Sequence, residues 1–158
     1  MQIQRLFINE KRCLVDFDIH FQTEDGASTT ILIGENGTGK STMMEPSLEI
    51  LMSFDSPSIE KQSGYDYIFE YEYAQKNTSI TKYWNGYKFV VDGEVFEGSY
   101  SAVRRWLNGR RLFPKRVIAF YSGANNKLAP AINKMNTEYR KRYRKSMDEF
   151  FRLMHDDT

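Results

Sequence analysis

The sequence predicts an α/β fold in which short strands accompany one glycine-rich loop and the helix that follows it. Apolar runs at residues 30–33 and 116–121 have the length and composition of buried strands. A helical pattern begins directly after the glycine-rich loop, at residue 40. Between residues 65 and 96, period-two patterns and turn dipeptides are typical of an antiparallel meander.

Two strands are predicted before the loop. Residues 3–8 are mostly apolar, and residues 13–21 alternate between apolar and polar side chains. The alternation predicts one solvent face and one buried face. The buried face would carry Val15, Phe17, Ile19 and Phe21.

A helix is predicted over residues 40–54, because Met44, Leu48 and Leu51 fall on one helical face. Pro46 interrupts this pattern, since it has no N–H to donate to the carbonyl of Thr42. That loss costs about 3 kcal/mol in a regular helix. We therefore expect a kink or an early loosening of the helix at Pro46.

Five aromatic residues recur at every second position after a polar linker at residues 53–64: Tyr65, Tyr67, Phe69, Tyr71 and Tyr73. Such a strand face either packs across a sheet or stacks on nucleic-acid bases. Packing is favoured because aromatic residues are ordinary strand formers. The dipeptides Asn85-Gly86 and Asp92-Gly93 then separate predicted strands at residues 80–84, 87–91 and 94–96.

In the last third of the chain, one helix is predicted before a buried strand and another helix after it. A short helix spans residues 99–108, and the strand spans residues 116–121. Beyond Pro130, apolar residues recur at helical spacing as far as Met154. We expect residues 1–128 to form one lobe and residues 129–158 to form a long basic amphipathic helix that leads to a missing or inserted region.

The composition of the 158 residues, 41% hydrophobic and 27% charged, is that of one globular domain. A single cysteine excludes an internal disulfide, and two histidines argue against a His-rich metal site. No targeting or membrane-spanning stretch is found, so we expect a cytoplasmic protein without a membrane partner.

The net charge of +1 conceals a split between the two ends of the chain. Residues 1–97 hold 16 acids and 8 bases, whereas residues 98–158 hold 5 acids and 14 bases. Residues 98–137 contain no acid at all. An anionic neighbour is expected near this half, which could be nucleic acid, nucleotide phosphate or an acidic surface.

One motif carries chemistry, and it has the pattern of a phosphate loop, or Walker A motif. It consists of Gly34, Glu35, Asn36, Gly37, Thr38, Gly39, Lys40, Ser41 and Thr42. The glycines let successive backbone N–H groups face the phosphates of a nucleotide, and the helix N-terminus adds partial positive charge. Lys40 is expected to reach the β- and γ-phosphates of ATP, and Ser41 to bind the Mg²⁺ ion between them.

With two strands before it, this motif resembles the N-terminal lobe of ABC-type ATPases of the RecF and SMC kind and of AAA-labelled restriction or phage-defence ATPases. The resemblance covers residues 1–128. It implies a P-loop NTPase lobe with parallel core strands plus an antiparallel β-subdomain. It also implies that the turn between the first two strands, with Lys11 and Arg12, helps to hold the nucleotide. From charge alone, two adjacent bases on a turn are more often simply solvated.

Three further motifs of that family are not clearly present. The family places a glutamine after the strand at 116–121, where this chain has Ser122 and Asn125 nearby. The Walker B pattern is imitated by the segment that ends in Asp92 and Glu94, but a hairpin turn is favoured there. A weak imitation of the dimer-supplied signature lies at residues 121–125. We therefore expect an incomplete ATPase, with catalytic residues that the sequence does not identify.

The leading hypothesis is an ATP-binding domain that couples nucleotide binding and homodimerisation, through the nucleotide face, to DNA processing or phage defence with an effector nuclease. For the basic residues of the last helix a solvated face is favoured, and contact with DNA is the main alternative; these residues are Arg140, Lys141, Arg142, Arg144 and Lys145. One rival is a small P-loop kinase whose lid uses Arg104, Arg105, Arg110 and Arg111. Another is a nucleotide-gated scaffold that does not hydrolyse ATP.

Overall fold

The fold was analysed in a computed structural model of the chain. It describes residues 1–21, 33, 35, 39–54, 64–107, 110–114, 133, 136, 137, 140, 141 and 144. The chain divides into two compact units, Met1–Ile118 and Ala119–Thr158. The first unit contains the sheet and two helices, and it is described first.

Six strands form one sheet in which every described pairing is antiparallel. The strand order is β2-β1-β3-β4-β5-β6. The meander β3 to β6 follows the chain, and β1 joins it to the hairpin β1–β2. The strands are β1 (Gln2–Lys11), β2 (Leu14–His20), β3 (Tyr67–Tyr73), β4 (Lys76–Tyr83), β5 (Gly86–Val91) and β6 (Glu94–Gly98).

The predicted fold class is wrong, because this sheet is antiparallel throughout the described residues and no parallel core is found there. The two runs assigned to parallel core strands, residues 30–33 and 116–121, fall outside the described residues except for Ile33. Ile33 lies outside any strand and is exposed. The parallel core was implied by the family resemblance, which did not indicate the partner of β1. In the structure β1 pairs with β3 and joins the β1–β2 hairpin to the meander, with Leu6 opposite Phe69.

One face of the sheet forms the core, as the period-two aromatic pattern predicts. Tyr67, Phe69 and Tyr71 are buried, with Leu6 and Ile8 beside them on β1. These aromatic side chains pack within the sheet, so the packing interpretation is confirmed and base stacking by the buried rings is excluded. Val15, which was predicted to be buried, lies at the β2 edge and is exposed.

Three two-residue turns link the strands of the meander. Asp92 and Gly93 have φ angles of 47° and 88° and form the β5–β6 turn, as predicted. Ala74 and Gln75 form the β3–β4 turn with φ angles of 52° and 62°, although neither residue is a glycine or an asparagine. The β4–β5 turn comprises residues 84 and 85, one position earlier than predicted, and Gly86 opens β5.

Helix α1 (Lys40–Ser53) begins at the predicted residue and crosses the sheet. Near its start, a Cβ atom placed on Gly39 would lie 3.7 Å from Leu14 of β2. Just beyond its end, Phe54 packs against Phe89 of β5. The helix continues through Pro46 to Ser53, so the expected early loosening is not observed. Pro46 is fully buried, which keeps its ring out of water.

Helix α2 (Tyr100–Leu107) confirms the short helix predicted after β6. Val103 and Leu107 are its buried residues. Tyr71 Oη of β3 donates a hydrogen bond of 3.0 Å to the carbonyl of Leu112, which ties the segment after α2 to the sheet. Aromatic rings from the sheet, from α2 and from residues 110–114 therefore surround Phe54.

In the second unit, six residues are described, and all are helical and exposed: Asn133, Asn136, Thr137, Arg140, Lys141 and Arg144. Their spacing of three or four places them on one helical face. This is the solvent face of the helix predicted there, whose apolar stripe falls outside the described residues. Among the described helices, none is long and apolar enough to cross a membrane.

Candidate phosphate-binding site

The N-terminus of α1 has the features of an anion site. Gly39, at the N-cap position, has a φ of 93°, a left-handed conformation that glycine adopts without strain. Its carbonyl accepts the first helical hydrogen bond, from the N–H of Met43, at 2.9 Å. Among the described residues no side chain caps the helix, and the first turn contains no acid. The first turn itself therefore supplies no carboxylate that would compete for its N–H groups.

Lys40 is the first residue of α1, and its side chain turns back over the preceding loop. Lys40 Nζ donates a hydrogen bond of 2.5 Å to the carbonyl of Glu35. The cation thus lies beside the segment that would surround the phosphates. Thr42, two residues further on, is buried. The remaining motif residues, Gly34, Asn36, Gly37 and Thr38, and the side chain of Ser41 fall outside the described residues.

Lys11 and Arg12, predicted to hold the nucleotide, lie against the middle of α1. Lys11 Nζ forms an ion pair with Glu49 and lies 3.8 Å from Glu45 Oε1. Arg12 pairs with the other oxygen of Glu45 at 2.7 Å. The Lys11 side chain is only 11% exposed, whereas that of Arg12 is 56% exposed. These pairs replace the simple solvation that charge alone suggested, and a role in nucleotide binding stays a prediction.

Tyr65, two residues before β3, also contacts this group of charged residues. Tyr65 Oη donates a hydrogen bond of 2.7 Å to Glu49, and Lys11 Nζ lies 4.8 Å from the centre of the Tyr65 ring. Burial, together with the negative charge of Glu49, raises the pKa of Tyr65 far above its ordinary value. We call Lys11, Glu45, Glu49 and Tyr65 the turn–helix cluster.

Sequence reasoning missed the two acids of the turn–helix cluster. A signal was available, because Glu45 and Glu49 are four residues apart and therefore share a helical face. Two bases on a tight turn are a natural partner for that face. The signal did not reveal which turn would approach α1, since that depends on the sheet beneath the helix.

The Walker B imitation is resolved by the sheet. Asp92 lies in the β5–β6 turn and Glu94 opens β6, at the opposite end of the strands from the β1–β2 turn. The turn interpretation is confirmed, and neither residue approaches α1 as a catalytic base. The possible signature at residues 121–125, including Ser122 and Asn125, falls outside the described residues.

The basic residues near α2 do not form one described site. Arg110 makes two hydrogen bonds to Glu94 and stacks 4.2 Å from the Trp106 ring. That pairing makes Arg110 a link between the end of α2 and the edge strand β6. Arg105 and Arg111 are exposed. Of the residues predicted to contact DNA, Arg140, Lys141 and Arg144 are exposed, while Arg142 and Lys145 fall outside the described residues.

The described residues contain no group of three or more histidine, cysteine or carboxylate side chains that could hold a metal ion. A magnesium ion that accompanies ATP is bound mainly through phosphate oxygens, water and few protein ligands, so this finding does not bear on it. The helix N-terminus, free of acids and next to Lys40, suits the anionic part of such a complex. Ser41 stays the predicted protein ligand of the ion.

The start of α1, with a left-handed glycine before Lys40 and no acid in its first turn, has the local features expected of a P-loop. The comparison with protein families agrees with this. A model of the AAA ATPase domain family matches residues 1–156, and the chain belongs to that family. It is therefore an ATP-binding ATPase domain at that general level. No curated protein and no solved structure matches the chain.

Proposed function

We propose that the chain binds Mg-ATP at the N-terminus of α1 and that its phosphate loop is the Walker A element of the domain. Gly39 supplies the turn into the helix, Lys40 the cation for the β- and γ-phosphates, and Ser41 the hydroxyl for Mg²⁺. The observation that carries the proposal is the uncapped, acid-free start of α1 directly at Lys40. Arg12, half exposed beside the helix, belongs to the border of this site.

Homodimerisation through the nucleotide face, and coupling to DNA processing or phage defence with an effector nuclease, extend the proposal beyond the family assignment. Two observations support it. The carboxylates of the Walker B imitation, Asp92 and Glu94, lie at the β5–β6 turn, so they supply no base at Lys40, and slow hydrolysis is expected without a second subunit. Arg140, Lys141 and Arg144 form a basic, exposed helical face suited to nucleic-acid phosphates.

The proposal predicts that Lys40→Ala weakens Mg-ATP binding, because the cation facing the terminal phosphates is lost. A charge-assisted hydrogen bond of this kind corresponds to a weakening of about 10- to 100-fold. Isothermal titration calorimetry measures the effect. The matched control is Lys88→Ala, which removes a surface lysine of β5 that pairs with Glu97. Equal affinities for wild type and Lys40→Ala would show that the nucleotide binds elsewhere.

The same preparation separates the alternatives. Turnover by the isolated chain near about 1 per second, the low end for kinases, would favour the kinase over the dimerising ATPase. Mg-ATP-dependent dimers in analytical ultracentrifugation support the ATPase. DNA affinity is measured at several salt concentrations, and its logarithm is plotted against the logarithm of salt concentration. A slope of about −0.9 for each neutralised phosphate supports the contact by residues 140–145. A gel shift absent at about 50 mM salt would contradict it.

A further inference from the structure

The turn–helix cluster lies beside a proline inside α1. Pro46 cannot donate a backbone hydrogen bond to the carbonyl of Thr42, so the helix lacks one of its internal hydrogen bonds in the turn before Pro46. Glu45 and Glu49 stand on either side of Pro46. Lys11 Nζ lies against both carboxylates and therefore attaches the helix to the β1–β2 turn directly after the turn that the proline weakens.

Lys11 is also held by several partners at once. Its ammonium group is buried between two carboxylates and the face of Tyr65, whose hydroxyl is itself bonded to Glu49. A buried charge is tolerated when it is paired in this way, and leaving those partners would strand both the lysine and the acids. At a rise of about 1.5 Å per residue, Glu49 lies about 13 Å along the helix from Lys40.

Arg12 offers a contrast on the same turn. It has one described partner, Glu45, and more than half of its side chain is exposed. Its φ of 55° lies in the left-handed region, which non-glycine residues rarely adopt. Neighbours in sequence, Lys11 and Arg12 therefore differ in how readily their cations can move to a ligand.

We propose that Lys11 is a positioning residue, which with Glu45, Glu49 and Tyr65 fixes α1 against the β1–β2 turn and so orients the phosphate loop for Mg-ATP. Lys11 acts on nucleotide affinity through α1 and does not touch the phosphates. The inference rests on the proposed function and divides the predicted pair: Arg12 keeps the role of a nucleotide neighbour, and Lys11 loses it.

The two roles predict opposite signs for one substitution. If Lys11 bound the phosphates, it would have to leave Glu49, and Glu49→Gln would strengthen Mg-ATP binding by releasing the lysine. If Lys11 positions α1, Glu49→Gln removes its anchor and weakens binding, as Lys11→Met does. Both substitutions then remove the same attachment. The double variant Lys11→Met/Glu49→Gln should therefore lose less binding free energy than the two single losses added together.

The test measures Mg-ATP affinity by titration calorimetry on chains shown to be folded by circular dichroism. Lys11→Met and Glu49→Gln are each expected to weaken binding about 2- to 30-fold, the range for residues that act at a distance from a ligand. Lys11→Arg keeps the charge and should restore most of the affinity. Lys88→Met, which breaks the surface pair with Glu97, is the matched control and should leave affinity unchanged.

Amide hydrogen exchange without nucleotide gives a second, independent measurement. Loss of the cluster should speed exchange of the amides of Met43, Met44 and Glu45 in Lys11→Met but not in Lys88→Met. Wild-type protein that binds no Mg-ATP would contradict the proposed function, and the exchange result would still decide the positioning role. Tighter binding in Glu49→Gln, or unchanged affinity and exchange in Lys11→Met, would overturn the positioning role.

Discussion

The C-terminal end and the middle of α1 are attached to their surroundings by opposite kinds of interaction. At the C-terminal end, Phe54 packs edge-on against Phe89 and stacks on Phe113, with ring centres 5.2 and 5.1 Å away. Nearer the N-terminus, the charges of Lys11 and Arg12 pair with Glu45 and Glu49. The apolar end depends on area removed from water, which is not directional. The ionic attachment depends on the distance between the paired charges and on which residues form the pairs.

The difference between the two attachments indicates which of them can affect ligand binding. Aromatic packing at Phe54 anchors the helix without defining a charge at its other end. The ionic attachment, in contrast, holds the middle of α1, between Lys40 and Phe54. Substitutions at the apolar end should therefore change folding stability, and substitutions at the ionic attachment should change both stability and nucleotide affinity.

The largest effect is expected at the apolar end. Phe54→Ala should lower the free energy of unfolding by about 3 to 5 kcal/mol, because it leaves a cavity among several aromatic rings. Urea denaturation measures the loss, and Phe54→Leu, which keeps most of the volume, is the control. Weakened Mg-ATP binding in the folded fraction of Phe54→Ala would break the comparison, since both attachments would then control the ligand site.

An intermediate effect is expected at Tyr65. Tyr65→Phe removes a hydrogen bond to the charged Glu49 and should cost about 1.5 to 3 kcal/mol in urea denaturation. The half-buried Tyr83 provides the control variant Tyr83→Phe. A loss no larger than that of the control would indicate that Glu49 is held by Lys11 alone.

The same residue predicts a pH dependence. Burial beside Glu49 raises the pKa of Tyr65 in the folded protein above the value of about 10 in the unfolded chain. The stability that this protonated hydroxyl contributes is fully present below about pH 10 and is lost as pH rises further. Above about pH 10, the free energy of unfolding should therefore fall less steeply with pH in Tyr65→Phe than in wild type, as measured by urea denaturation at several pH values.

The smallest effect is expected at an exposed ion pair, which sharpens the contrast with the turn–helix cluster. Arg5 forms two hydrogen bonds with Asp18 at 3.0 and 2.8 Å on the β1–β2 hairpin. These bonds hold the pKa of Asp18 below its ordinary value. Because the pair is solvent-screened, Asp18→Asn should cost less than about 0.5 kcal/mol at neutral pH. The difference from wild type should shrink as pH falls below about 4 and should vanish only below the lowered pKa of Asp18, where the wild-type carboxylate is protonated as well.

The strands were predictable where a pattern repeats locally. The period-two aromatic residues from Tyr67 to Tyr73 lie in β3, and Asp92-Gly93 forms the expected turn. The Ala74-Gln75 turn was not predicted, because neither residue is a usual choice for a left-handed conformation. Its conformation follows from the pairing of Tyr73 with Lys76, which no short-range pattern announces.

The wrong part of the fold prediction concerns partners distant in sequence. Apolar runs indicate that a strand is buried but not which strand lies beside it. The choice of β3 as the neighbour of β1 depends on complementary faces such as Leu6 against Phe69. The candidate site was predictable at Gly39 and Lys40, where the motif itself contains the conformational requirement. Glu45 and Glu49 were missed because their partners come from a different strand pair.

The pairing of β1 with β3 also bears on how the chain folds. The hairpin β1–β2 and the meander β3 to β6 each join neighbours, whereas Ile8 and Tyr67 meet across the whole segment that contains α1. Such long-range closure is a slow event in folding, but its entropic cost rises by only about 0.6 kcal/mol for each doubling of the enclosed length. Insertions between β2 and Gly34 should therefore be accommodated without loss of the sheet, so the chain can change in length there while the phosphate motif keeps its spacing.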